Sequence, residues 1–232
     1  MEEAEERKVS ARDEILSSIR RSLKVNGSEG PRRAAVAARL SGSPRGVVPQ
    51  RGQLDRQDRI GLFKTMAENA FASVAIVQSA RDVPGEAARW LRDNNLPATL
   101  RMGEDKRLAD MPWQTTALEL AKGRSDGRDL NAVSHAFSAV AESGTLIMTS
   151  GPENPSTLNF LPDNHIVVLS AADLEGDYES VFDRLREKYG KGEMPRTVNM
   201  ITGPSRSADI AQTMLLGAHG PRKLHIVIVD AA

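Results

Sequence analysis

The amino-acid sequence predicts an α/β fold: a mostly parallel sheet with helices on its faces, in one main domain behind an N-terminal helical extension. Three observations point there. Short runs rich in β-branched and aliphatic residues recur along the chain, as at 73–78 and 224–229. Stretches with helical spacing precede and separate the first of these runs, giving the β-α-β order that calls for parallel pairing. The longest apolar runs, such as 74–77, are far too short to span a bilayer, so they read as buried strands.

The elements follow in order. Ser10 with Asp13 three residues on forms a capping box that opens a helix. Ile15, Leu16, Ile19 and Leu23 then share one face, Arg12, Arg20 and Lys24 lie off it, and Asn26 and Gly27 end it. This helix, within residues 1–24, either docks on its own domain or offers its apolar stripe to another chain. Residues 25–53 read as a flexible linker. Pro31, Pro44 and Pro49 interrupt it, and only 36–40 looks helical. Arg32, Arg33, Arg39, Arg45 and Arg51 give it a basic bias, but no aromatic interleaves them, which suits a solvated tether better than a nucleic-acid arm.

The main α/β domain is assigned to 54–232. Ile60, Phe63, Met66, Ala67 and Ala70 keep helical spacing ahead of the strand at 73–78. A helix at 87–95 and a strand at 98–101 follow, and 102–129 has no assignable pattern. Strands are then expected at 132–139, 145–149, 166–169, 198–202 and 224–229. A helix is expected at 178–189, with Val181, Phe182 and Leu185 inward.

Composition narrows the function. The 31 basic and 31 acidic residues cancel, so no global field draws the chain to nucleic acid, and 4% aromatics make no base-stacking platform. There is no cysteine, which excludes disulfides, thiolate zinc sites, cysteine nucleophiles and Cys-ligated iron–sulfur clusters on this chain. Residues 1–8 are charged throughout and lack the apolar core of a signal peptide. A cytoplasmic protein without a membrane span is expected.

Three Gly-rich turns carry the candidate chemistry. In Glu142-Ser143-Gly144-Thr145 a carboxylate beside a glycine is a candidate nucleophile or base, or else an exposed residue closing a turn. Gly203-Pro204-Ser205-Arg206-Ser207 is expected to lead into a helix capped by Ser205 or Ser207, whose free N–H groups and Arg206 would hold a small carboxylate or phosphate. The alternative is an ordinary capped connection, with Arg206 paired to a structural acid. Gly217-Ala218-His219-Gly220-Pro221 sets a histidine between glycines, as an acid, a base, a ligand donor or a structural ring. Four histidines without metal-ligand spacing argue against a metal, and no Gly-x-Gly-x-x-Gly follows a strand.

Taken together, Ala141-Glu142-Ser143-Gly144-Thr145-Leu146, Leu161-Pro162-x-x-His165-Ile166, the stretch from Gly203 to Ile210, and Gly217-Ala218-His219-Gly220-Pro221 closely resemble the lactate-utilisation protein C family, the LUD-domain proteins. Ser143 and Ser207 stand where threonine is common. The resemblance implies a three-layer αβα sandwich around a mainly parallel sheet, like the ribose-5-phosphate isomerase and CoA-transferase group. It further implies a part in oxidising lactate to pyruvate beside iron–sulfur partner proteins; with neither cysteines nor a dinucleotide loop, no cofactor is expected on this chain itself. It leaves open an independent acyl- or CoA-transferring enzyme using Glu142, by fold-level analogy, and a non-catalytic assembly module. The site residues these readings nominate are Glu142 and His219 for catalysis, and Gly144, Thr145, Gly203, Ser205, Arg206, Ser207 and Gly220 for ligand binding.

Overall fold

Helix formation in the N-terminal region follows its caps. The computed structural model describes residues 10–208 and 214–231. In α1 (Ala11–Leu23) the Ser10 hydroxyl accepts the Asp13 N–H at 3.2 Å, the N-cap half of the expected capping box, and donates to the Asp13 carboxylate at 2.6 Å. Lys24, in the left-handed region, closes the helix before Asn26 and Gly27 are reached. The stretch read as linker contains a second helix, α2 (Gly30–Gly42), longer than the expected 36–40. Pro31 sits in its first turn, where a missing N–H costs nothing, and the alanines after it propagate the helix. These two helices belong to a compact unit, Met1–Gly46; the second unit is Val47–Ala232.

The second unit opens with a 3-10 turn at Gln50–Gly52 and α3 (Arg56–Asn69), capped by Asp55, whose carboxylate accepts the Asp58 N–H. β1 (Ser73–Val77), α4 (Val83–Asp93) and β2 (Thr99–Met102) follow in the expected order. The unassigned stretch folds into a short α5 (Lys106–Ala109) and an edge strand, β3 (Glu119–Lys122). The run expected as one strand at 132–139 is two, β4 (Asn131–His135) and β5 (Ser138–Val140). Between them the chain changes sheets: the Ala136 N–H bonds Val168 of one sheet, and the Phe137 N–H bonds Ile147 of another. The remaining elements are β6 (Thr145–Thr149), β7 (Asn164–Ser170), β8 (Leu174–Glu175), α6 (Tyr178–Tyr189), β9 (Val198–Ile201), β10 (Arg206–Ala208), β11 (Met214–Leu216) and β12 (Lys223–Val229).

All pairings in the six-stranded sheet, order β1-β12-β7-β4-β2-β3, are parallel. A four-stranded sheet, β8-β5-β6-β9, is mixed, and β10 and β11 form a separate hairpin. The strand period of two divides the cores. Val167, Leu169, Ile226 and Ile228 face α3 and the inner side of the smaller sheet. Ile166, Val168, Val227 and Val229 face α4, with Trp90 and Leu91. α6 covers the far side of the smaller sheet through Val181 and Leu185. The result is a layered α/β fold around a mainly parallel central sheet.

Candidate functional site

The end of α3 organises two of the three Gly-rich turns. Gly144 has φ +66°, and a Cβ there would lie 2.5 Å from the Ala67 backbone nitrogen. Gly203 has φ +72°, and a Cβ there would lie 2.0 Å from the Ala70 carbonyl oxygen. Both positions need the left-handed conformation and the missing side chain at once. The two turns are further tied by hydroxyls. Thr145 Oγ1 lies 2.7 Å from Thr202 Oγ1 and 2.9 Å from the Tyr178 hydroxyl, and Ser143 Oγ is 2.8 Å from Thr145 and 3.0 Å from Tyr178.

Glu142 itself is buried, only 4% exposed, in the hairpin between β5 and β6. Its Oε2 makes no hydrogen bond, and the nearest cation is Arg51, with Nε 3.6 Å away. The exposed-Glu alternative is thereby set aside. Sequence reasoning missed Arg51, since a basic residue in a Gly/Pro-rich stretch carries no signal of a partner 91 positions on.

The second turn departs from expectation. No helix starts at Ser205 or Ser207; Arg206–Ala208 is strand β10, paired antiparallel with β11. The backbone explains the change: the Ser205 N–H donates to the Pro221 carbonyl at 2.8 Å, and the Ser205 carbonyl accepts the Gly217 N–H at 3.0 Å, so these groups bond across the hairpin instead of along a helix. The expected array of free helical N–H groups is therefore missing among the described residues, and Asp209 and Ile210 lie outside them. Arg206 pairs with no acid among the described residues. It stacks on Phe71, its guanidinium carbon 4.0 Å from the ring centroid, and donates to the Ala70 carbonyl at 3.2 Å, capping the end of α3.

The third turn joins the second through Ser205, whose hydroxyl accepts the His219 N–H at 3.3 Å, while Gly220 backs onto its Cβ. His219 is exposed, and its ring has no hydrogen-bond partner among the described residues. This joint precedes β12, so it lies at the amino end of the parallel sheet, opposite the carboxyl-end crevice where α/β sheets usually bind ligands. His165, which sequence analysis placed beside Leu161-Pro162, lies wholly inside β7. Its Nε2 is 3.0 Å from the Ser134 hydroxyl, and burial pushes its pKa down to about 4.

At the carboxyl ends of β2 and β4 the structure gathers residues that sequence reasoning did not single out. Asp105 is buried and holds Arg107 through two bonds, of 3.0 and 2.6 Å. Burial works to raise the Asp105 pKa, but the Arg107 guanidinium outweighs it and holds the carboxyl below its ordinary value. His135 ends β4, and its Nδ1 lies 2.8 Å from the Ala136 carbonyl. A carbonyl only accepts, so Nδ1 carries the hydrogen and Nε2 is left as an acceptor. Burial, and then the Arg107 charge, push the pKa of this ring below its ordinary value, which favours the neutral form. A histidine ending a central strand was the one available signal. No group of three or more His, Asp or Glu residues among the described residues is placed to hold a metal ion.

Comparison with known proteins agrees with this architecture. The crystal structure of a DUF162 family protein from Deinococcus radiodurans superposes with a TM-score of 0.57 at 20% identity, covering 76% of this chain and 99% of that one. A lactate utilization protein C from Geobacillus thermodenitrificans is 34% identical over 130 residues, 52% of this chain and 54% of that protein. The Bacillus subtilis protein of the same name is 32% identical over 92 residues, 39% and 38% of the respective chains. An uncharacterised protein of Neisseria meningitidis is 37% identical over 90 residues, 39% of this chain and 38% of that one. The matched stretches thus span about half the length of these relatives or less. The sequence signature described as the LUD domain matches residues 60–229, nearly the whole second unit, and the chain belongs to the LUD-domain family.

Proposed function

We propose that this protein is a cytoplasmic component of a lactate-utilisation system, acting in the oxidation of lactate to pyruvate beside iron–sulfur partner proteins. The names of its relatives support the reading. So does the absence of cysteine from the 232 residues, which leaves any thiolate-ligated cluster to partner chains. No helix among the described residues is long and apolar enough to cross a membrane. The observation that carries a ligand role is the Ser205 joint, where Ser205, in the turn from Gly203 to Ser207, accepts the His219 N–H and lies against Gly220. Among the described residues Arg206 uses one of its five N–H donors, on Ala70, and neither the rest nor the His219 ring has a hydrogen-bond partner, which supports a role in holding a small carboxylate or phosphate. Deleting the gene should abolish growth on lactate as sole carbon source, and the wild-type gene should restore it. Undiminished growth of the deletion strain, or steady lactate turnover by the isolated chain, would overturn the reading.

A second reading rests on Glu142. A buried carboxylate oxygen without a hydrogen bond, 3.6 Å from one guanidinium, has the setting of an acyl-accepting nucleophile. Attack on a thioester would form a mixed anhydride at Glu142 and release the thiolate. Hydroxylamine would convert that anhydride to a hydroxamate, visible as a mass change on the peptide bearing Glu142. An unmodified peptide after incubation with acyl-CoA and hydroxylamine removes this reading.

A further inference from the structure

A cavity of about 730 Å3 opens at the carboxyl end of the parallel sheet, away from the Ser205 joint. Its walls follow directly from the strand order. Glu104 lies two residues beyond β2, Gly123 and Arg124 follow β3, Ser156 and Thr157 lie on the loop that leaves β6, and Arg196 stands just before β9. Loops beyond the carboxyl ends of parallel strands are the usual place for a ligand in this class of fold. The volume falls within the range of about 300–1,000 Å3 typical of small-molecule sites.

The charges in this cavity are not internally matched. Nearby arginines are committed: Arg101 to Asp129, Arg107 to Asp105, and Arg184 to Asp173 and Glu175. Arg124 and Arg196 have no ion pair or side-chain hydrogen bond among the described residues, and they face a single carboxylate, Glu104. The wall that carries them is nonetheless fixed. Thr197 and Ser150 bond each other at 2.9 and 3.0 Å, and Ser156 Oγ lies 3.0 Å from Thr197 Oγ1. Thr157 Oγ1 accepts the Ser125 N–H at 3.1 Å, which leaves its own hydrogen to donate.

We propose that this cavity binds a phosphate-bearing small molecule carrying at least two negative charges, held between Arg124 and Arg196. Guanidinium groups meet phosphate oxygens in bidentate pairs, and two of them match a diphosphate better than a single carboxylate. Thr157 adds a neutral donor, and Glu104 accepts from a hydroxyl group on the ligand while opposing its charge. The site is independent of the lactate reading and of Glu142.

Calorimetric titration of the full chain with pyrophosphate, ADP and lactate tests the proposal. Saturable binding of pyrophosphate or ADP is expected, with affinity falling tenfold or more in Arg124→Gln and in Arg196→Gln, and disappearing in the double variant. Glu104→Gln should bind several-fold more tightly, because it removes the opposing charge. Melting temperatures without ligand should match the wild type, since neither arginine has a side-chain partner to lose among the described residues. No saturable binding of either phosphate compound, or unchanged affinity in the double variant, would overturn the proposal. Lactate binding as tight as pyrophosphate would overturn the phosphate class.

Discussion

Gly52 and Gly176 meet backbone to backbone: a Cβ on Gly52 would lie 2.2 Å from the Gly176 carbonyl oxygen, and one on Gly176 would lie 2.1 Å from the Gly52 carbonyl oxygen. Beside them Gln53 Nε2 donates to the Asp177 carboxylate at 2.9 Å, and the Gly176 carbonyl accepts the Glu142 N–H. Residues 50–53 are thus part of the α/β unit, and they bring Arg51 to Glu142.

Gly176→Ala should destabilise the unit by about 1–3 kcal/mol, the cost of forcing a methyl group into a closed contact. A chain starting at Val47 should unfold cooperatively, and one starting at Leu54 should melt lower, having lost both the glycine contact and Arg51. Equal melting temperatures for the two chains would show that the contact contributes nothing.

Arg206→Gln should lower the melting temperature by a few degrees. A cation–π contact at an exposed site is worth about 0.5–1 kcal/mol, and in a chain of this size 1 kcal/mol moves the midpoint by about 2–4 °C. A double-mutant cycle with Phe71→Ala isolates the contact. Strictly additive effects would mean that the stacking seen at 4.0 Å has no energetic content.

Tyr178→Phe should cost about 1–2 kcal/mol by leaving the Ser143 and Thr145 hydroxyls short of a partner. Amide exchange at Gly144 should quicken with it, while exchange in β12 stays unchanged. Unaltered exchange at Gly144 would dissociate the hydroxyl cluster from the turn.

Stability should fall on mild acidification. His165 and His225 are both pushed down from 6.5 to about 4 by burial, which for His225 outweighs the opposing pull of Glu86 at 3.1 Å. Below pH 6.5 the unfolded chain takes up protons that the folded one refuses, so stability present above 6.5 drains away as pH falls toward 4. By pH 5 each ring gives up about 2 kcal/mol. Urea titrations at pH 7.5 and 5 should show this drop, and His165→Gln should shrink it.

The central strands were legible because they are buried on both faces: Ile166 to Leu169 and Ile226 to Val229 read as unbroken apolar runs. β3 was not, because an edge strand bearing Glu119 and Lys122 has no buried face to write a pattern. The break between β4 and β5 was hidden in a run that stays buried on both sides of the switch from one sheet to the other. Around the site, Gly144 and Gly203 marked themselves through the conformations they need. The hairpin after Ser205 did not, since its serines cap helices equally well in isolation and only the distant Pro221 and Gly217 decide otherwise. The pairing of Arg51 with Glu142 is likewise a product of the fold alone.

The position of β12 has a consequence for how the molecule is made. Ser73 pairs in register with His225, and His225 pairs in turn with Ile166, so the first strand of the sheet reaches the rest only through a strand near the other end of the chain. A growing polypeptide that has already completed β1 through β7 has an open slot where β12 belongs, flanked by two unsatisfied ladders. Closing that slot requires a long loop to be gathered in a single step, which slows folding and leaves strand edges exposed until synthesis has passed Val229. The interval between β7 and β12 is therefore when the nascent chain is most exposed to pairing with a neighbour instead of with itself.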